Sequence, residues 1–288
     1  MKVETAPVPD AAPGWRAELA LQFARGNDFA TRLIARRHMG PLVVQRPFYP
    51  EGPEVPHVYV LHPPGGLVGG DRLRLDVTAD AGARVLLTTP AATKVYRSAG
   101  PVASQVFRFA AGQGACVEWL PQETILHDAA NADLSTEVHL SGDARFMGMD
   151  TLCFGLSARG ETFATGKCRQ RFEIWRDGRP IFIERGRFDA DDAVHAASWG
   201  LGGARVSGLL VIAPGAAVAP EMLERLREVA AQVPERAGVT VLDEGNVWVC
   251  RYLGGSAERA RTYFQHLWAI ARPVVMGRPA VVPRIWAT

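Results

Sequence analysis

Apolar and polar positions alternate through most of the first two thirds of the chain. Leu19, Leu21 and Phe23 alternate with polar or small residues, and Leu73, Leu75 and Val77 alternate with Arg72, Arg74, Asp76 and Thr78. A period of two puts successive side chains on opposite faces of a strand. These segments are therefore predicted as strands with one face on a core and one toward water. The same reading covers HVYVL, ARVLLTT, SQVFRF, ACVEWL and TEVHL, which turn residues separate at short intervals.

The clearest hairpin is CRQRFEIWRDGRPIFIERGRF. Asp177-Gly178 suits a two-residue type I′ turn, whose central residues both need positive φ. That register sets Ile174 opposite Ile181 and Phe172 opposite Ile183 as an apolar face. It also predicts Arg171 opposite Glu184 and Glu173 opposite Phe182. Pro180 beside the turn implies an edge position.

Helical periodicity comes late. PEMLERLREVAAQV opens on Pro220, suited to a first helical position, and carries Met222, Leu223, Leu226 and Val229 as an apolar stripe. VTVL and VWVCRYL read as a strand pair across DEGN. SAERARTYFQHLWAIAR is predicted as a second helix, capped by Ser256 and ended by Pro273, with Tyr263, Phe264, Leu267, Trp268 and Ala271 on its apolar face. DADDAVHAASWGLGGAR (189–205), acidic and then glycine-rich, is the expected mobile loop. No internal repeat stands out. Many short strands could still wind as a sandwich or an irregular β-helix. No βαβ alternation supports a doubly wound nucleotide fold.

Composition narrows the classes. The chain has 288 residues, is 48% hydrophobic and carries a net charge of +2, enough for one large domain or two small ones. The near-balanced charge gives no footprint for nucleic acid. The four cysteines, at 116, 153, 168 and 250, form no C-x-x-C pair and are expected as reduced, mostly buried thiols. MKVETAPVPDAAPG lacks the apolar run of a signal peptide. SGLLVIAPGAAVAP is broken by Pro214, Gly215 and Pro220, so it cannot span a bilayer as one helix. The expectation is a soluble, cytoplasmic protein with no membrane or nucleic-acid partner.

The candidate chemistry starts at HPPGGLVGGD (62–71). It lacks the spacing and the lysine of a phosphate-binding loop and leads into another strand, so no helix N-terminus is available to hold an anion. There is no G-x-S-x-G elbow, and the histidines at 38, 57, 62, 127, 139, 195 and 266 sit near no nucleophile motif. No H-x-x-x-H, H-E-x-x-H or Cys/His cluster appears. What remains is a scatter of isolated carboxylates in apolar or tight contexts: Asp71, Glu118, Glu123, Asp150 and Glu184. A buried carboxylate needs a partner, a proton or a cation. Arg171 is the expected partner of Glu184; none can be named for Asp150. Each is open to a structural or a functional reading. One functional reading is a β-helical, carboxylate-dependent hydrolase using Asp150 and Glu184. Another is a docking platform with no metal path, in which Tyr263 and Trp268 act through packing or partner contact.

A series of longer motifs adds a resemblance. GPLVVQRPFYPEG, VYVLHPPGGLVGGD, TTPAATKVYRS, EWLPQETI, MDTLCFG, ARGETF and VPRIWAT follow one another as they do in the UreD (UreH) family of urease accessory proteins. The resemblance runs from about Trp15 to Thr288. It implies a single domain over 15–288 behind a flexible segment, 1–14. It also implies a mainly β fold: an irregular β-helix-like stack of strands with two C-terminal α-helices. The function it implies is a non-enzymatic maturation factor. Such a factor binds urease apoprotein with UreF-like and UreG-like partners, in a hetero-oligomer with two copies. It carries nickel to the urease active site, where a lysine is carbamylated, during GTP-dependent metallocentre assembly. It holds no tightly bound cofactor, only transient nickel(II). The family's tunnel-lining positions match Asp71, Thr93 (often Ser in the family), Asp150 and Glu184. Leu156 departs from the pattern, standing where the family often has Arg. Spaced carboxylates and hydroxyls hold nickel(II) less tightly than imidazole and thiolate, which suits transit.

Overall fold

The computed structural model describes residues 14–156, 159–216, 219–243 and 246–287. The expected flexible segment 1–14 lies outside them except for Gly14, as do two residues of the DEGN connection.

The alternating segments are strands, and they wind as a two-sheet stack. β1 (Arg16–Arg25) turns back through β2 (Thr31–Met39), and β3 (Val43–Val44), β4 (His57–Leu61) and β5 (Gly66–Leu67) follow. Then each coil gives a long strand to the first sheet and a shorter one to the second. The first coil is β6 (Arg72–Ala79) and β7 (Arg84–Thr88), with short β8 (Thr93–Val95). β9 (Ala103–Ala111), β10 (Cys116–Trp119) and β11 (Thr124–Leu126) repeat it, as do β12 (Ala130–Leu140) and β13 (Arg145–Phe154). The hairpin β14 (Gly166–Arg176) and β15 (Arg179–Asp189) closes the first sheet. β16 (Val206–Ala213), β17 (Arg236–Leu242) and β18 (Val247–Gly254) complete the second. The first sheet runs β15-β14-β12-β9-β6-β1-β2 and the second β17-β18-β16-β13-β10-β7-β4-β3. β1, β6, β9, β12 and β14 are mutually parallel, the mark of a solenoid rather than an antiparallel sandwich.

Two apolar cores result. Inward residues of both sheets, such as Leu21, Val77, Phe109, Val138 and Ile174, form the first. The outer face of the second sheet is covered by α1 (Pro220–Ala231) and α2 (Ala257–Val275), making the second core around Met147, Leu210, Cys250, Phe264 and Trp268. β10, expected to show one face to water, is therefore buried on both faces, as is most of β16. All four cysteines are free and buried. No helix among the described residues is long and apolar enough to cross a membrane.

Three expectations need correction. Asp177 and Gly178 do have positive φ, 49° and 78°, but the hairpin register slips one residue beyond the turn. Pro180 has no N–H to give the ladder, and the strand bulges next to it between Ile174 and Trp175. Phe182 therefore faces Ile174, and Ile183 turns outward, 46% exposed. The Arg171–Glu184 pair does not form: Arg171 faces Arg185 across the ladder and reaches Asp133 at 3.4 Å. Ser256 caps α2 as expected, accepting from Arg259 N at 3.2 Å, but Pro273 does not end it. The helix continues to Val275, closed by Met276 N–H on the Arg272 carbonyl at 2.7 Å; buried Ala271, Val275 and Met276 hold its last turn in place. The segment 189–205 contains a 3-10 turn, Ala193–His195, with His195 packed among Phe154, Phe163 and Phe188.

Candidate functional site

Strand register defines rows of side chains that point between the sheets. One row of the first sheet is Leu19, Leu75, Phe107, Thr136, Phe172 and Glu184. The adjacent row is Ala17, Leu73, Gln105, Leu134, Gln170 and Gly186. Apolar residues dominate until Gln105, Thr136, Gln170 and Glu184 interrupt them. Opposite, the second sheet sets Asp150, Leu209 and Arg251 in one row. A polar strip thus crosses the interior at one end of the stack, where burial without partners would be costly.

Asp150 is at its centre. Its carboxyl sits between the sheets, and Gln170 Nε2 donates to Oδ2 at 2.8 Å. This is the partner the sequence could not name. Burial pushes the Asp150 pKa up to about 6; the Gln170 hydrogen bond opposes the shift and the Glu184 charge adds to it. The residue also lines a cavity of 30 Å³ with Thr93, Gln105, Thr124 and Thr136, room for a water or two. Thr93, Thr89, Gln105 and Phe107 are shared with a neighbouring 80 Å³ cavity that reaches His62 and the exposed Gly65 of the glycine loop. Burial lowers the His62 pKa against the pull of Asp71, which leaves the imidazole neutral at pH 7.

On the far side, Gln170 also borders a 540 Å³ cleft that contains Glu184, Arg251, Ser207 and Gly208. Glu184 and Arg251 form a bidentate ion pair across the mouth between the sheets, with Arg251 Nη1 donating to Oε1 at 3.0 Å and Nη2 to Oε2. Thr93 and Asp150 therefore line one cavity, while Glu184 lines a separate cleft that shares no wall residue with it; Gln170, bonded to Asp150 and bordering the cleft, stands between the two. Asp71 stands apart from these walls. Its Oδ1 accepts from Trp15 N at 2.7 Å and its Oδ2 from Val68 N at 2.9 Å, so it locks its own turn. The backbone of Gly70 and Asp71 also packs directly on Gly14, where a Cβ would lie 2.1 Å from the Gly70 carbonyl carbon. Leu156 packs against the second core.

Glu118 has a structural explanation. It faces α2, where Arg272 and the Trp268 indole donate to it, and Arg272 also binds Glu51. Glu123 lies 4.0 Å from Arg261. Gln105, Gln170, Arg251 and His62 are site residues that sequence reasoning missed. Gln170 left a signal, since it shares the parity of the inward Phe172 and Ile174. Among the described residues, no three His, Cys, Asp or Glu side chains converge as a metal cage.

Comparison with known proteins finds relatives along nearly the whole chain. A family model described as UreD urease accessory protein matches residues 16–287. The chain is similar to the urease accessory protein UreD of Azoarcus sp. (strain BH72), 48% identical over 278 residues and 96% of each chain. It is 45% identical over 282 residues to that of Dechloromonas aromatica (strain RCB), covering 97% of each. With the UreD of Saccharophagus degradans the identity is 41% over 292 residues, covering 100% of this chain and 98% of the relative. The chain belongs to the UreD family of urease accessory proteins.

Proposed function

We propose that this protein is a non-catalytic factor of urease maturation. It binds urease apoprotein with UreF-like and UreG-like partners and conducts nickel(II) between its two sheets during GTP-dependent metallocentre assembly. It acts in the cytoplasm, two copies to an assembly, and nickel is its cargo rather than a resident cofactor. The observation that carries this reading is the pair of adjoining cavities from His62 past Thr93 to Asp150, which Gln170 alone separates from the cleft of Glu184.

The chemistry suits passage. Single carboxylates, hydroxyls and amides spaced along a channel give a hard-donor path that a divalent ion can enter and leave. Asp150, with a pKa near 6, can exchange its proton for a cation close to neutral pH. In this reading Thr93, Asp150 and Glu184 line the path, while Asp71 fixes the glycine loop at the His62 end and lends its charge there. Oxygen donors of this kind do not select nickel over copper or zinc, so selectivity falls to the partners. The hydrolase reading is disfavoured by size, because a 30 Å³ cavity around Asp150 admits no sugar ring.

The test is co-purification with urease apoprotein and UreF-like and UreG-like proteins, followed by activation with nickel and bicarbonate. Asp150→Ala and Glu184→Ala are expected to leave the assembly intact and to lower nickel per urease active site. Normal activation by both variants, at matched expression, would remove the conduit. Failure of the wild-type chain to bind any of these proteins would remove the whole reading.

A further inference from the structure

The two edges of the first sheet differ. At one edge, β15 is guarded by Pro180 and its bulge, and its Arg185 and Arg187 are neutralised by Glu173 and Asp189. The other edge, β2, pairs on one side with β1 and is exposed from Arg32 to Met39 apart from half-buried Leu33. Beyond Thr31, whose N–H donates to the Pro53 carbonyl at 3.0 Å and whose carbonyl accepts from the Tyr49 hydroxyl at 3.2 Å, its outer row of backbone N–H and C=O groups has no strand partner among the described residues.

This edge is also strongly basic. Residues 25–46 hold five arginines and one aspartate, a net charge of +4, although the whole chain carries only +2. Arg32 is taken by Asp28, and Arg25 lies 4.7 Å from the centre of the Phe29 ring. Arg36, Arg37 and Arg46 pair with no carboxylate among the described residues. Ile34 and Met39, 55% and 45% exposed, add apolar surface on the same strand.

We propose that β2 is the docking edge for an extended, net-acidic segment of a partner protein in the maturation assembly, which pairs with it as an additional strand. The open backbone row supplies main-chain hydrogen bonds, the unpaired arginines select acidic side chains, and Ile34 and Met39 accept apolar ones. Like charges on β2 repel a second copy of the same strand, so the edge is closed to self-pairing and open to a complementary chain. A nucleic acid would meet the arginines but leave the backbone row unused. The choice of partner rests on the function proposed above; the choice of surface does not.

The test is amide hydrogen exchange on the full chain, alone and in complex with urease apoprotein and the UreF-like and UreG-like proteins. Exchange across residues 32–39 is expected to slow by at least about tenfold on assembly. Arg36→Glu combined with Arg37→Glu is expected to weaken the complex about tenfold at low salt, with the deficit shrinking as salt rises. Both residues are exposed and unpaired, so the melting temperature stays at the wild-type value, and Arg225→Glu on α1 serves as a control with unchanged affinity. A complex that forms without protection of residues 32–39, or with wild-type affinity in the double variant, overturns this inference alone. Absence of any complex overturns it together with the proposed function.

Discussion

Arg272→Ala is expected to cost about 3–5 kcal/mol of stability, a large part of what holds a domain folded. Arg272 lies on α2 with its side chain 1% exposed, against Glu51 and Glu118 whose side chains are each 3% exposed. Its Nη2 donates to Glu51 Oε1 at 2.7 Å and to Glu118 Oε2 at 2.9 Å, and Nη1 donates to Glu51 Oε2 at 2.8 Å. The Trp268 indole gives Glu118 a further bond at 2.7 Å, and His57 meets Glu51 at 2.7 Å. Burial works against the Arg272 cation, but Glu118 and Glu51 outweigh it and push its pKa up. Burial likewise opposes the Glu51 carboxylate, and the bonds from His57 and Arg272 hold its pKa below the ordinary value. Removing the guanidinium leaves two carboxylates in a dry interior without their cation. The cluster joins the loop before β4, the middle of β10 and the end of α2, so its loss loosens three distant parts of the chain. Urea unfolding checks the figure. Adding Glu51→Gln and Glu118→Gln to Arg272→Ala is expected to restore part of the stability, because the stranded charges go too. A loss below about 1 kcal/mol for Arg272→Ala alone would contradict this account of the cluster.

Asp150→Asn is expected to act in the opposite direction. Asp150 holds its proton more tightly when folded, with a pKa of about 6 against an ordinary 3.8. Such a group subtracts stability once ionised. The cost builds as pH rises from 3.8 to about 6 and stays level above that. Converted at about 1.4 kcal/mol per pH unit, it reaches about 3 kcal/mol at pH 8. Asparagine has the same shape and still accepts from Gln170, so the variant is expected to be more stable than wild type by about 2–3 kcal/mol at pH 8. The advantage fades as the pH falls and is gone below pH 4. Unfolding curves across this range read the effect directly. A variant less stable at pH 8 would mean that the Asp150 charge serves the fold. A more stable one marks a residue kept at a cost, as expected of a functional group in a core.

The strands were legible because alternation survives wherever one face meets the core. Their winding was not, since Leu19, Leu75, Phe107 and Phe172 share a row across parallel strands but no sequence period that identifies them as partners. The hairpin turn was readable from Asp177-Gly178, and its register was lost to the bulge at Pro180. Glu184 consequently found Arg251, 67 residues away, instead of Arg171. Glu118 was recognisable as a carboxylate in an apolar strand, but nothing local pointed to Arg272, 154 residues on. Asp150 stood out as an isolated carboxylate, whereas Thr93 came only from a resemblance. Their shared cavity, and the Gln170 amide that closes it toward the Glu184 cleft, exist only once the two sheets face each other.

The central claim is that nickel travels between the sheets, and Thr93 is the place to test it, because it borders both the 80 Å³ and the 30 Å³ cavities. In Thr93→Phe a ring fills the junction, whereas Thr93→Ser keeps the hydroxyl and the space. The deciding measurement is nickel per urease active site after activation of purified complexes containing each variant, matched for assembly and melting temperature. The account predicts wild-type loading with Thr93→Ser and, with Thr93→Phe, loading no higher than urease acquires without this protein. Full loading with Thr93→Phe in an intact complex would contradict it.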